Sequence, residues 1–517
     1  MKIKTILSVT LIFAVFLTGC GSPKSVSVRV PEPDYWPTIG WRTSSPEAQG
    51  MDSELLAQML EDISANQTAI HSLLVIRNGY MVTEAYSHPY TPDTKIHIQS
   101  VTKSVIGMLV GKAVTDGYIK NENVKLSEYY DVGMFDNPGK QKETIRLKHL
   151  MSMSSGLDCQ EFSGTGPSME QSDQWVRFML NRPMVAEPGT SFGYCNGNAH
   201  LLSAIVKKTA GMSAREYANQ KLFQPLGISP VDETDWGSDP QKITIGGYGL
   251  HLKPSDMAKL ALLYLQNGKW EGQQIISADW VEESTTEHLQ KEDGSGYGYL
   301  WTVYPDAGHY AALGLGGQQI HVYPSKNLIV VTTASLESYA EAPEIDKMIN
   351  EYILPSIKSD GSLPENSSGY SRLQADIETV ENPVQPVPTL PKSAVDISNS
   401  VYTFGENPLG WGKLKFDFEP GKDTAQFYLD DYTVMNIGLD NIYRLSRGVP
   451  FGEILLRGRW MDDETFIIDY PYPMFGGTVL GELGETEFQF KFINDKLEVT
   501  VSQQVFGGES IVFEGTR

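Results

Sequence analysis

IHIQSVTKSVIGMLVGKA, residues 96–113, is an apolar run that contains Ser100 and carries Lys103 three residues later. The pattern predicts a helix that starts at the serine, so that the lysine lies on the same face one turn on, within reach of the hydroxyl. These residues support two readings. A serine hydroxyl beside a lysine amine is a nucleophile beside its base. Equally, a serine at a helix start is a cap and the lysine after it a solvated charge. S-x-x-K also arises by chance in a chain this long, so the segment alone does not choose.

The rest of the chain supplies context. Its 517 residues suffice for two or more domains, and its 40% hydrophobic and 20% charged content is that of folded protein. Against 41 basic residues stand 64 acidic ones, a net charge of -23, which opposes nucleic acid and anionic lipid headgroups as partners. Residues 1–19 pair Lys2 and Lys4 with an apolar stretch too short to span a bilayer and end on small residues, the pattern of a secretory signal peptide. Leu17-Thr18-Gly19-Cys20 looks like a bacterial lipobox, which would lipidate Cys20 and anchor the chain to a membrane in the cell envelope. In an oxidising compartment Cys159 and Cys195 are either a disulfide or two small buried thiols.

Residues 20–44 are rich in Ser and Pro and read as a tether. SELLAQMLEDISAN, residues 53–66, has helical periodicity, and HSLLVIRNGYMVTEAY, residues 71–86, reads as two strands around an Asn78-Gly79 turn. QQIHVYP and NLIVVTTAS form a similar strand pair far downstream. Strands near both ends with helices between them predict an α+β domain over 45–357, with an antiparallel sheet flanked by helices and completed by distant segments. Residues 358–395 read as a Pro-rich linker with a short helix, and alternating segments over 396–517 predict a small all-β domain, sandwich or barrel.

A lysine base needs a group that hands the proton on, and tyrosine serves. Tyr217 falls in a helical stretch and reads as a surface or packing residue. Tyr194 lies in EPGTSFGYCNGNAHLLSAIV, where Pro and Gly enforce a loop ahead of an apolar helix, a place that presents side chains to a cleft. The same loop holds Gly189-Thr190-Ser191-Phe192-Gly193, a match to the G-x-S-x-G nucleophile elbow, but NRPMVAEPGT ahead of it is not the apolar strand an elbow requires. His97 reads as a packing residue. No metal-ligand spacing or phosphate loop is present, so no metal and no cofactor are expected.

In order, Ser100-Val101-Thr102-Lys103, HLMSMSSGL (149–157), PGTSFGYCN (188–196), GGYGLHLKPSDMAKL (246–260), GYGYLW (296–301) and LGLGGQ (313–318) resemble the class C β-lactamase-related serine hydrolases. This penicillin-binding-protein-like superfamily includes esterases and amidases, and the last two motifs look closest to its 6-aminohexanoate-dimer-hydrolase-like branch. The resemblance spans about residues 36–357. It implies an antiparallel sheet of five or more strands, a helical subdomain and an active site between them. It implies Ser100 as acylated nucleophile, Lys103 as base, Tyr194 as proton relay, Asn196 as a support for the lysine or substrate, and Gly314 as the glycine of the strand lining the site. The backbone N–H groups of Ser100 and Leu315 would form the oxyanion hole. Ala312 then occupies a position the family usually fills with Lys or His, so the carboxylate of a β-lactam would find no cation there. The expectation is an exported serine hydrolase of a small-molecule or peptide-like ester or amide, with weak or absent β-lactamase activity. The alternative is a catalytically inert surface or cell-wall binding lipoprotein on the same scaffold.

Overall fold

The computed structural model describes residues 25–26, 28, 30–66, 68–131, 137–159, 169–336, 343–430, 433–449, 452–470, 486–503 and 510–517. The signal-peptide reading and Cys20 lie outside the described residues. Among those described, no helix is long and apolar enough to cross a membrane.

The first domain opens with helix α1 (Ser53–Ala65), capped by Asp52, and the hairpin of β1 (Ile70–Arg77) and β2 (Tyr80–Tyr86). Asn78 and Gly79 turn the hairpin with φ of 53° and 83°, the left-handed geometry that this pair of residues tolerates. Helix α2 (Val101–Thr115), α3 (Asn196–Ala210) and α4 (Pro254–Leu265) follow. Six more strands come late in the domain: β3 (Leu289–Gln290), β4 (Gly296–Tyr297), β5 (Thr302–Tyr304), β6 (His309–Gly314), β7 (Gln318–Tyr323) and β8 (Leu328–Ala334). The eight strands form one antiparallel sheet in the order β2-β1-β8-β7-β6-β5-β4-β3. The first hairpin thus pairs with the last strand, Ile76 opposite Ile329, and closes the domain across most of its length.

Alternation along β1 explains why it is buried on both faces. Leu74 and Ile76 join the core of α2, α3 and α4, whereas Leu73 and Val75 join the core under α1. Each such side chain withdrawn from water contributes roughly 1.5–3 kcal/mol. Helix α2 is predominantly apolar and is buried along most of its length, from Val101 to Gly111. Gly111 lets Trp280 approach it; a Cβ there would fall 2.2 Å from the indole nitrogen.

The stretch read as a linker with a short helix holds a fifteen-residue helix, α5 (Ser367–Glu381), which lies on α1 with Leu373 fully buried and Arg372 bonded to Glu54 and Glu61 at 2.7 Å. The apolar stripe of α5 makes it part of the first domain, and the Pro-rich 383–391 follows it. Among the described residues, ten strands between Val401 and Thr516 make the second domain. Nine of them close into a barrel, the ring completed by a parallel bridge between Gly438 and Arg457, while Arg444–Val449 pairs only as a hairpin with its successor. Its interior is a cluster of aromatic rings around Phe416, Phe427, Phe466 and Phe490.

Cys159 and Cys195 are bonded to each other, with Cα atoms 5.5 Å apart, and the bridge ties the loop after Ser154-Ser155-Gly156-Leu157 to the start of α3. It closes a loop of 36 residues, which in the chain-entropy account stabilises the fold by about 3–4 kcal/mol. The oxidised protein is expected to weigh two hydrogens less than the reduced form and to unfold at lower denaturant once Cys159→Ser and Cys195→Ser are introduced. Labelling of both thiols in native, unreduced protein would contradict this.

Candidate active site

Ser100 sits directly before α2, but its hydroxyl makes no cap hydrogen bond. Instead Ser100 Oγ and Lys103 Nζ lie 3.0 Å apart, and Lys103 is only 1% exposed. The two readings of S-x-x-K therefore separate: this serine does not cap the helix through its side chain, and this lysine is not a solvated charge. A kinked backbone delivers the serine. Gln99 before it adopts φ of 50°, a left-handed conformation costly for a residue with a Cβ and the sort of strain found at functional sites. The short strand Ile96–His97 pairs with His251–Leu252 and fixes the approach. His97 is a packing residue as expected: it stacks on His251, its Nε2 accepts the Gly249 N–H at 2.9 Å, and burial, assisted by His251, lowers its pKa to about 3.

Lys103 Nζ donates to the Gly247 carbonyl at 2.6 Å and stands 4.6 Å from the centre of the Tyr194 ring. Tyr194 is held by its loop. The Gly189 and Gly193 N–H groups donate to the carbonyls of Ser154 and Met153 at 2.8 and 2.7 Å, and the Cys159–Cys195 bridge anchors the next residue. Asn196 is the first residue of α3, and a Cβ on Gly247 would fall 2.8 Å from the Asn196 Cβ, so glycine is needed where the two chains meet. The residues ahead of Ser191 carry no strand, and the nucleophile-elbow reading has no support. Tyr217 is buried, its hydroxyl donating to Asp116 at 2.7 Å away from this site.

Ser100, Lys103, Tyr194 and Asn196 line a cavity of about 620 Å³ with Leu315. Gly314 ends β6 where a Cβ would lie 2.8 Å from the Ile98 carbonyl, which accounts for a glycine at this close approach to the segment before Ser100. Ala312 corrects one expectation. It is packed in the core and does not line the cavity; alternation along β6 turns Ala311 and Leu313 to it instead. The strand wall is uncharged all the same. Phe192 and Tyr297 also line the cavity, with ring centres 5.0 Å apart, and burial together with Tyr194 raises the Tyr297 hydroxyl pKa well above its ordinary value. Sequence reasoning did not single out the Gly247 carbonyl or the pair Lys291 and Asp293 that also line the cavity, whereas GYGYLW, read as core and cleft wall, contains Tyr297. GGYGLHLKP marked the neighbourhood of Gly247, but a backbone acceptor leaves no side-chain signature.

The family model described as Beta-lactamase matches residues 56–351. The 6-aminohexanoate-dimer hydrolase of Paenarthrobacter ureafaciens is 22% identical over 310 residues, covering 54% of this chain and 77% of its own. An uncharacterized protein of Alkalihalophilus pseudofirmus is 26% identical over 305 residues, 50% of this chain and 82% of its own. The solved structure of a penicillin-binding-protein homologue from Caulobacter crescentus superimposes with a TM-score of 0.50 at 15% identity, over 61% of this chain and 98% of that one, a likeness of fold. The matched span runs from α1 to the helical turns after β8 and takes in every residue around Lys103, so the chain belongs to the Beta-lactamase family of serine hydrolases, which takes in esterases, amidases and peptidases.

Proposed function

We propose that the chain is an exported, lipid-anchored serine hydrolase that cleaves an uncharged ester or amide through an acyl-serine intermediate. The observation that carries this reading is the contact of 3.0 Å between the buried Lys103, through Nζ, and Ser100 Oγ at a cavity wall. With Lys103 as the free amine, one N–H donates to the Gly247 carbonyl and the lone pair accepts the Ser100 proton. Ser100 Oγ then attacks the substrate carbonyl. The backbone N–H groups of Ser100 and Leu315 hold the oxyanion, a role that needs no particular side chain at Leu315. The proton passes from Lys103 through Tyr194 to the leaving alcohol or amine as the tetrahedral adduct collapses to acyl-Ser100. Water, deprotonated along the same path, releases the acid and restores the serine hydroxyl. Asn196 and Gly314 support this geometry, and Phe192, Tyr297, Leu313 and Leu315 offer an apolar wall to the substrate.

Export and anchoring rest on residues 1–20 alone. Replacing Cys20 by Ser is expected to move the protein out of the membrane fraction; an unchanged membrane pool would refute the anchor.

Two kinetic outcomes are expected. On a 4-nitrophenyl alkanoate, Ser100→Ala falls to the uncatalysed rate and Tyr194→Phe loses about 10²–10⁴ in kcat, both with an unchanged unfolding temperature. A Ser100→Ala protein as active as the wild type would contradict the assignment, and a folded wild type without activity would leave the inert binding lipoprotein. On nitrocefin, which carries a carboxylate, turnover is weak or absent because the strand wall is uncharged; rapid turnover would overturn that argument.

A further inference from the structure

The cavity is also bordered by the tip of the β3–β4 hairpin, residues 291–295, which belongs to the same sheet as β6. Lys291 and Asp293 both line the cavity, and Lys291 Nζ bonds Asp293 Oδ2 at 2.8 Å with the two side chains only 17% and 31% exposed. The tip is built to hold that pair. The Lys291 N–H donates to the Ser295 carbonyl at 2.7 Å, and Asp293 Oδ1 accepts the Ser295 N–H and hydroxyl at 2.8 and 2.6 Å. Asp293 is thereby fixed by the turn, and Lys291 is fixed by Asp293. Among the described residues lining the cavity the basic side chains are Lys103 and Lys291. Lys103 is committed to Ser100 and Gly247, so Lys291 is the cation that a substrate carboxylate would meet.

We infer that the Lys291–Asp293 pair is a specificity element that accepts an uncharged hydrogen-bonding group, such as a second amide or ester of the substrate, and rejects a free carboxylate. The inference rests on the Ser100 acylation reading above. The paired side chains offer the cavity an ammonium N–H donor and a carboxylate acceptor side by side, which is the complement of an amide and is electrically balanced. An incoming carboxylate gains Lys291 only by approaching Asp293 Oδ2, a like charge that the turn prevents from moving away. The device excludes acids by occupying the cation that would attract them.

Three 4-nitrophenyl esters of five-carbon acyl chains test this: the pentanoate, the glutaramate ending in an amide, and the glutarate ending in a carboxylate. Wild-type kcat/KM is expected to be about tenfold higher for the amide-ended ester than for the acid-ended one. Asp293→Asn keeps the turn's acceptor while freeing Lys291, and is expected to raise kcat/KM for the acid-ended ester about tenfold. Adding Lys291→Met to Asp293→Asn should remove that gain. An acid-ended ester as good as the amide-ended one in the wild type, an unchanged ratio in Asp293→Asn, or a gain that persists without Lys291 would each overturn the inference while leaving Ser100 chemistry intact. A wild type inactive on all three esters, with Ser100 unlabelled by a fluorophosphonate, would overturn both.

Discussion

The burial of one amine constrains the rest of this structure. A lysine taken out of water is costly unless its hydrogen-bonding groups are met, and Lys103 is 1% exposed. Its needs are met from three places in the chain: the Ser100 hydroxyl one helical turn back, the Gly247 carbonyl 144 residues on, and the face of Tyr194. Bringing these together requires α2 to lie in the interior, the Tyr194 loop to be pinned to the loop after Ser154, and the Gly247 segment to pass close against Asn196. Glycine at 247 and 314, the left-handed Gln99 and the Cys159–Cys195 bridge are local consequences of that single meeting point.

Electrostatics around the site follow the same economy. The strand wall presents Ala311, Leu313 and Leu315, and the hairpin tip presents a cation already balanced by Asp293. Beside Ser100 Oγ stands a single amine, that of Lys103. A family that includes enzymes acting on carboxylate-bearing β-lactams is thus represented here by a cavity whose walls are apolar, aromatic or charge-balanced.

What was legible in the sequence is what periodicity and turn chemistry encode. The β1–β2 hairpin was marked by Asn78-Gly79, α1 by its apolar stripe, and six barrel strands by apolar and polar alternation, clearest in EFQFKFI over 487–493. Ser100, Lys103 and Tyr194, which the structure brings together, were legible because their side chains are chemically distinctive and their neighbours form ordered motifs. Other features gave no such mark. TVMNIG and RLSRGV, in the strands 433–438 and 444–449, mix Asn, Gly, Ser and Arg with few large apolar residues; the first carries the closing bridge and the second pairs outside the ring. Gly247 contributes a carbonyl, which every residue has. Ala312 was assigned to the cavity by motif spacing, whereas the pleat of β6 turns Ala311 and Leu313 there. Lys291 and Asp293 sit in KEDGSG, which reads as an ordinary polar turn until the fold folds it over the cavity.

The central claim is that Lys103 makes Ser100 a nucleophile. Intact-mass and peptide mass spectrometry after a fluorophosphonate ester tests it most directly, with wild type compared to Lys103→Met. A single adduct on Ser100 in the wild type, formed at least about a hundredfold more slowly in Lys103→Met, is the predicted result. An adduct on any other residue, or equal labelling of Ser100 with and without the lysine amine, would contradict it.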